Sequence, residues 1–273
     1  MALSRVKEKG THWEVRRAGN YNQIGWVRND DLRGAIVDAC GTGKAAISLG
    51  CGTGPILGLL RGRFDKLVGV DASQAMLDAG DFKGIETHCM RIEQIPWKSK
   101  FDVAEMRNVL HSVENPLQAL EVALKVIRPG GKLVLVEGVP PEHRVRATFE
   151  KLFEHLEDRH TFSEGDLISL ARLAGFTDIR VQPFFMENVD LLDWIKKVAP
   201  SAEAAREVEW LHRSADEHFW KVYEMREEKG RLLMTWRFCI LTARRPGGKG
   251  SRAASKKLGA KRGNARNALK KSK

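Results

Sequence analysis

The stretch DACGTGKAAISLGCGTGPIL, residues 38–57, carries the tetrapeptide Cys-Gly-Thr-Gly twice, at 40–43 and at 51–54. The first copy follows LRGAIVDAC, whose apolar spacing suits a helix, so Gly41 and Gly43 read as a helix C-cap and the turn into a strand. It fails the phosphate-loop pattern, because position 38 is Asp and position 45 is Ala. The second copy follows the short apolar run AAISL and opens PILGLL, which gives strand, glycine turn and helix in succession. Glycines at 50, 52 and 54 let a ligand approach the backbone, with the free N–H groups of the helix N-terminus facing it. Pro55 stands where a dinucleotide fingerprint requires its third glycine, which disfavours NAD and FAD.

Outward from this turn the pattern repeats. AAISLG (45–50), KLVGV (66–70), FDVAEM (101–106) and KLVLVEG (132–138) are apolar runs too short for ordinary helices and read as buried strands. PILGLLRGR, SQAMLDAG and NPLQALEVALKVI read as helices between them, the last stopped by Arg128-Pro129-Gly130-Gly131. Alternating strand and helix predict a mostly parallel sheet covered on both faces. Ser163 opens the helix DLISLARLAGF as an N-cap, Gly175 stops it, and TDIRVQPFF reads as a strand. A largely helical stretch, roughly 187–230, then precedes the final strand RLLMTWRFCILTA. Asp30 and Asp31 read as caps of the helix that follows them. Asp71, at the end of LVGV and about 20 residues beyond the glycines, can accept hydrogen bonds from both hydroxyls of a ribose. A nucleoside-containing ligand is expected.

The chain of 273 residues has a net charge of +11, and its distribution matters more than its size. Arg244–Lys273 holds 12 Lys/Arg and no acid, leaving 34 basic against 35 acidic residues in positions 1–243. The basicity belongs to a tail, 246–273, whose Gly, Ala, Ser and Lys cannot bury enough surface to fold; it is expected to be disordered and is a candidate contact for nucleic acid or an anionic surface. Four cysteines without a Cys-x-x-Cys pair suggest reduced thiols and no zinc ribbon. No apolar run reaches the length of a membrane span, and no histidine spacing suggests a metal site. A cytoplasmic protein without a metal is expected.

With these residues in hand, the segment from about 45 to 138 resembles the class I S-adenosylmethionine-dependent methyltransferases, through SLGCGTG (48–54), VGVDAS (68–73), RIEQIPW (91–97), FDVAEMRNVLHSV (101–113) and IRPGGKLVLVEG (127–138). It is similar in particular to ubiquinone/menaquinone-type small-molecule methyltransferases, and the likeness extends through FSEGDLISLARLAGF (162–176). The resemblance implies a Rossmann-like, doubly wound α/β fold with a mostly parallel seven-stranded sheet and a helical insertion before the last strand. It implies an N-terminal cap over 1–32, a methyltransferase domain over 33–245 with a lid at about 187–230, and S-adenosylmethionine as cofactor. Gly50, Cys51, Gly52 and Gly54 would lie under its methionine portion. Asp71 would hold the ribose, Ala72 and Ile92 would flank the adenine, and Asn108 would offer backbone contacts to the amino group.

His111 would face the transfer site and is the candidate base; His160 and Tyr21 are weaker candidates, and Tyr21 and Trp26 also suit a cap over the cofactor. Cys51 reads as a small packing residue rather than a nucleophile. Two positions depart from the family pattern. Members commonly carry an acid where Ser48 stands, and another, an adenine partner, where Arg91 stands; Glu93 is the candidate substitute for the latter. Three functions follow in order: methylation of a small aromatic or apolar molecule, methylation of RNA or a ribosome-associated protein through the tail, and non-catalytic binding on a retained fold.

Overall fold

In the computed structural model, which describes residue 19 and residues 21–247, AAISL lies in strand β1 (Gly43–Leu49), with β2 (Phe64–Asp71) and β4 (Phe101–Arg107) parallel to it on either side. β3 (Glu86–Cys89) pairs with β2 at one edge, and β5 (Ile127–Gly138) pairs with β4, again in parallel. Two long strands complete the sheet. β8 (Arg231–Arg244) runs antiparallel between β5 and β6 (Thr177–Asp190). The order β3-β2-β1-β4-β5-β8-β6 is the expected seven-stranded path, and a short β7 (Arg226–Glu228) adds an eighth strand as hairpin partner of β8. The order reverses between β1 and β4, the crevice where open α/β sheets bind ligands.

The two Cys-Gly-Thr-Gly copies separate as their flanks indicate. Helix α1 (Asp30–Cys40) ends at Gly41, whose φ of 70° and N–H to the Val37 carbonyl form the cap, and Gly43 enters β1. The second copy leaves β1 and enters the short helix α2 (Pro55–Leu59). At the front of α1 the cap is Asn29, not the acids that follow. Its Oδ1 accepts the Leu32 N–H at 2.7 Å, while Asp30 and Asp31 occupy the first turn, where negative charge favours the helix dipole.

Helices α3 (Gln74–Asp78) and α4 (Pro116–Val126) follow β2 and β4. Beyond β5 come α5 (Arg146–Glu154) and α6 (Glu164–Ala174), the latter opened by a reciprocal Ser163–Asp166 capping box and closed at Gly175. β6 continues past TDIRVQPFF to Asp190. The helical insertion is therefore α7 (Leu191–Val198), α8 (Ala202–Arg213) and α9 (Glu217–Val222). β3 escaped the sequence reading because ETHC is polar and only half-buried at a sheet edge, so no apolar run marks it.

Core packing follows strand alternation. Along β1, Ala46 joins the cluster under α1 and the insertion, and Ile47 and Leu49 join the opposite one with Met106 and Leu120. Of the expected N-terminal cap, residues 1–18 and 20 lie outside the described residues, as do residues 248–273 of the basic tail.

Candidate active site

At the C-terminal ends of β1, β2 and β4 a cavity of about 430 Å³ opens, within the range of small-molecule sites. The glycine turn forms part of its wall. Gly50 and Cys51 donate their N–H groups to the Val70 carbonyl at 2.7 and 2.9 Å, which bends the chain sharply off β1. Gly50 has φ of 72°, and a Cβ there would come within 2.2 Å of the Val109 side chain. Only glycine fits this position.

Gly50 and Gly52 line the cavity; Cys51 and Gly54 are not among its lining residues. The Cys51 side chain instead packs against Gly69, and burial pushes its thiol far above the usual range, so a thiolate nucleophile is disfavoured. Asp71 lines the cavity and braces the turn: one carboxylate oxygen accepts the Gly52 N–H at 2.8 Å, the other the Ser73 N–H at 2.9 Å. Each oxygen retains a lone pair for a ligand hydroxyl. Ala72, Ile92 and Asn108 line the same cavity, Asn108 with φ of 50° and its N–H on the Val136 carbonyl at 2.8 Å.

From the other side Tyr21 and Trp26 close on the turn, with their rings edge to face at 5.6 Å. Thr53 fastens this segment by donating its hydroxyl hydrogen to Asn22 Oδ1 at 2.6 Å. Beneath it lies a buried polar chain. Ser48 on β1 donates to Glu105 on β4, its register partner, at 2.5 Å. Arg107 lies 5.1 Å over the Trp26 ring and donates to the Trp26 carbonyl at 2.6 Å. Desolvation raises the Glu105 carboxyl to about 6, although Ser48 and Arg107 pull the other way. Among the described residues, Glu105 Oε1 and two guanidinium nitrogens of Arg107 have no hydrogen-bond partner.

His111 is buried at the cavity wall, on a single turn following β4. Its Nδ1 lies 2.7 Å from Glu137 Oε2, and Glu137 Oε1 accepts the backbone N–H groups of Leu110 at 2.7 Å and His111 at 3.3 Å. An ionised carboxylate only accepts, so the proton sits on Nδ1. Nε2, on the ring's other edge, is 3.6 Å from a Glu157 oxygen. His160 does not line the cavity: it donates its N–H to the His111 carbonyl and its ring lies 3.1 Å from the Val113 carbonyl, holding the turn from behind. Tyr21 does line it.

Opposite the glycine turn the wall is aromatic. Phe153 meets Trp194 edge to face at 6.0 Å, Trp194 meets Trp236 at 4.9 Å, and Phe219 packs on Tyr223 at 4.4 Å. Every Lys and Arg lining the cavity is ion-paired: Arg91 with Glu93 and Glu114, Arg159 with Glu157, Lys197 with Asp193, Arg237 with Glu164.

A family profile described as "Methyltransferase domain" matches residues 47–135, which span this turn, Asp71 and His111. This part of the chain is a methyltransferase domain of the class I, S-adenosylmethionine-dependent type. A demethylmenaquinone methyltransferase of Staphylococcus saprophyticus is 27% identical over 173 residues, covering 52% of this chain and 74% of that protein. An uncharacterised 37.1 kDa transposon protein of Streptomyces fradiae is 35% identical over 104 residues; the alignment covers 35% of this chain and spans only 30% of that protein. The crystal structure of a putative methyltransferase from Bacillus halodurans superposes with a TM-score of 0.71 at 17% identity, over 78% of this chain and 98% of that one. The shared fold is clear.

The residues of this methyltransferase fit its cofactor: a cradle that a Cβ at Gly50 would fill, a carboxylate at Asp71 with spare lone pairs, and the buried Ile92 beside Ala72. Glu93 lines the cavity with Arg91, its ion-pair partner. Sequence reasoning assigned no role to Glu105, Glu137, Glu157, Tyr223 or His212. For Glu105 and Glu137 a signal was present, since each is an acid inside an otherwise apolar strand. Glu157, His212 and Tyr223 had no such mark.

Among the described residues no group of acids, histidines and cysteines could hold a metal, and no helix is long and apolar enough to cross a membrane.

Proposed function

We propose that this methyltransferase methylates a small, neutral, aromatic or apolar molecule held between the aromatic wall and the glycine turn. The observation that carries this reading is the composition of the wall itself: aromatic rings packed edge to face, with every lining Lys and Arg among the described residues already paired to an acid. A phosphate or carboxylate entering there would have to displace an existing ion pair, whereas an aromatic ring meets complementary faces. The menaquinone-type relative is consistent with such a substrate.

S-adenosylmethionine, when bound, supplies an electrophilic methyl group on its sulfonium. Gly50, Gly52, Asp71, Ala72, Ile92 and Asn108 would hold it, with Cys51 and Gly54 shaping the turn. The chain's remaining tasks are to align the acceptor and exclude water, which together are worth about 7–11 kcal/mol of barrier in well-oriented systems. His111 acts as base. Glu137 fixes the proton on Nδ1, so Nε2 accepts the proton that an oxygen, nitrogen or acidic-carbon acceptor releases. Glu157 faces the cation that results. Residues 21–32 serve as a cap, and α7–α9 as the lid. Four free cysteines suit a reducing, cytoplasmic setting.

The 12 basic residues from Arg244 onward support a second reading, in which the substrate is RNA or a ribosome-associated protein. The discriminating experiment offers labelled cofactor and the full-length protein to cell extract fractionated into small molecules, protein and RNA. Label in the small-molecule fraction is expected. Label only in RNA, and only when residues 246–273 are present, would establish the second reading instead.

A further inference from the structure

The lid carries two polar groups that the mechanism above leaves unused. Tyr223, just past α9, is 2% exposed, lines the cavity, and its hydroxyl has no hydrogen-bond partner among the described residues. An unpartnered buried hydroxyl costs stability, so its presence calls for a reason. Burial also keeps the phenol protonated, because it pushes the pKa up. Tyr223 is therefore a donor.

His212, in the last turn of α8, lines the same cavity at 3% exposure. Its Nδ1 lies 2.7 Å from the Val208 carbonyl, which can only accept, so Nδ1 carries the proton. Desolvation lowers the ring's pKa to about 4, which keeps it neutral near pH 7. Its Nε2 is then a bare acceptor, with no hydrogen bond to any described residue. Both rings pack against Phe219, Tyr223 at 4.4 Å and His212 at 6.1 Å between centroids. Phe219 thus packs against both rings, one bearing a donor and the other an acceptor, and all three residues line the same cavity.

A group that satisfies both must accept one hydrogen bond and donate another, and must do so without charge, since no unpaired lining cation balances an anion. A neutral hydroxyl meets these conditions; an ether, a carboxylate and an ammonium do not. Resting on the reading of the cavity as an aromatic acceptor's site, we propose that Tyr223 and His212 recognise a hydroxyl group on the substrate, Tyr223 donating to its oxygen and His212 Nε2 accepting its hydrogen. Sites built to hydrogen-bond a hydroxyl reject analogues lacking it far more strongly than apolar pockets discriminate by size.

The test compares 2-naphthol with 2-methylnaphthalene, a pair differing in hydroxyl against methyl, by quenching of tryptophan fluorescence in the full-length protein. The intact protein is expected to prefer 2-naphthol by about tenfold or more, and Tyr223→Phe to reduce that preference to within about threefold while leaving the affinity for 2-methylnaphthalene unchanged. His212→Leu should reduce it likewise. Tyr223→Phe should unfold at the same temperature as the parent or higher, because it removes an unsatisfied group. A lower melting temperature would show that the hydroxyl has a structural partner, and an unchanged naphthol preference would show that it does not recognise the ligand; either overturns the proposal. Calorimetry with S-adenosylmethionine on the same variants keeps the two readings apart. Loss of cofactor binding by the parent protein would refute the methyltransferase reading, whereas intact cofactor binding with no hydroxyl preference would refute this subsite alone.

Discussion

Ser48 and Glu105 occupy the same register position on adjacent parallel strands and share a hydrogen bond, so the acid that relatives commonly carry on β1 has a counterpart on β4. The carboxylate has moved across one strand. Because folding raises the Glu105 pKa from 4.5 to about 6, the folded state holds its proton longer than the unfolded chain. This group therefore reduces stability as pH rises from about 4.5 through 6, on the order of 2 kcal/mol in full. Urea titrations at pH 4, 5, 6 and 7 should show the loss in the parent and its absence in Glu105→Gln.

His212 acts in the opposite direction. Its folded pKa of about 4 lies below the ordinary 6.5, so the unfolded chain takes up the proton first as pH falls. Its contribution is complete above 6.5 and is lost on acidification toward 4, on the order of 3 kcal/mol. Between pH 4.5 and 6 the two groups partly cancel. Glu105→Gln should thus expose a steeper loss toward acid, and His212→Leu should make that loss shallower than in the parent, both read from the same titrations.

Asp71 braces the turn, its two oxygens accepting backbone N–H groups from Gly52 and Ser73, and is the residue proposed to hold the ribose. Asp71→Ala orphans both donors and is expected to cost about 1–3 kcal/mol of stability. Calorimetry should show cofactor affinity reduced at least about tenfold, the equivalent of 1.4 kcal/mol. Unchanged affinity would remove Asp71 from the cofactor site.

The His111–Glu137 pair predicts a split between binding and turnover. His111→Asn removes the base and should lower kcat by about 10²–10⁴ with cofactor affinity preserved. Glu137→Gln offers an amide whose NH₂ cannot accept the Nδ1 proton, so the ring is held in the wrong tautomer and kcat should again fall. Equal losses in cofactor affinity for both variants would indicate a structural role.

Much of the fold was legible because the strands of an α/β sheet are continuous apolar runs, and β1, β2, β4 and β5 are buried on both faces. Edges were less legible. β3 is polar, and β6 alternates half-buried and exposed residues until Met186 and Val189, so its end was taken for helix. At the site, Gly50, Gly52, Asp71, Ala72, Ile92, Asn108 and His111 line one cavity, while Cys51 and Gly54 are not among its lining residues. For residues that act through long-range pairing, the partner was not legible locally. Glu137 reaches His111 only because β5 lies beside β4, and Tyr223 reaches the cavity only because α9 folds back between β6 and β8.

The cavity's walls also divide along the chain. Its lining residues up to Val113 come from the segment that carries the glycine turn and Asp71, and those from Gly138 onward from the segment that carries the aromatic wall, with α5, α7, α8 and α9 following β5 in the chain. Inheritance can therefore act on the halves separately. A gene segment encoding the later half can diverge, or be exchanged between paralogues, and alter what is methylated while the nucleoside cradle passes on unchanged.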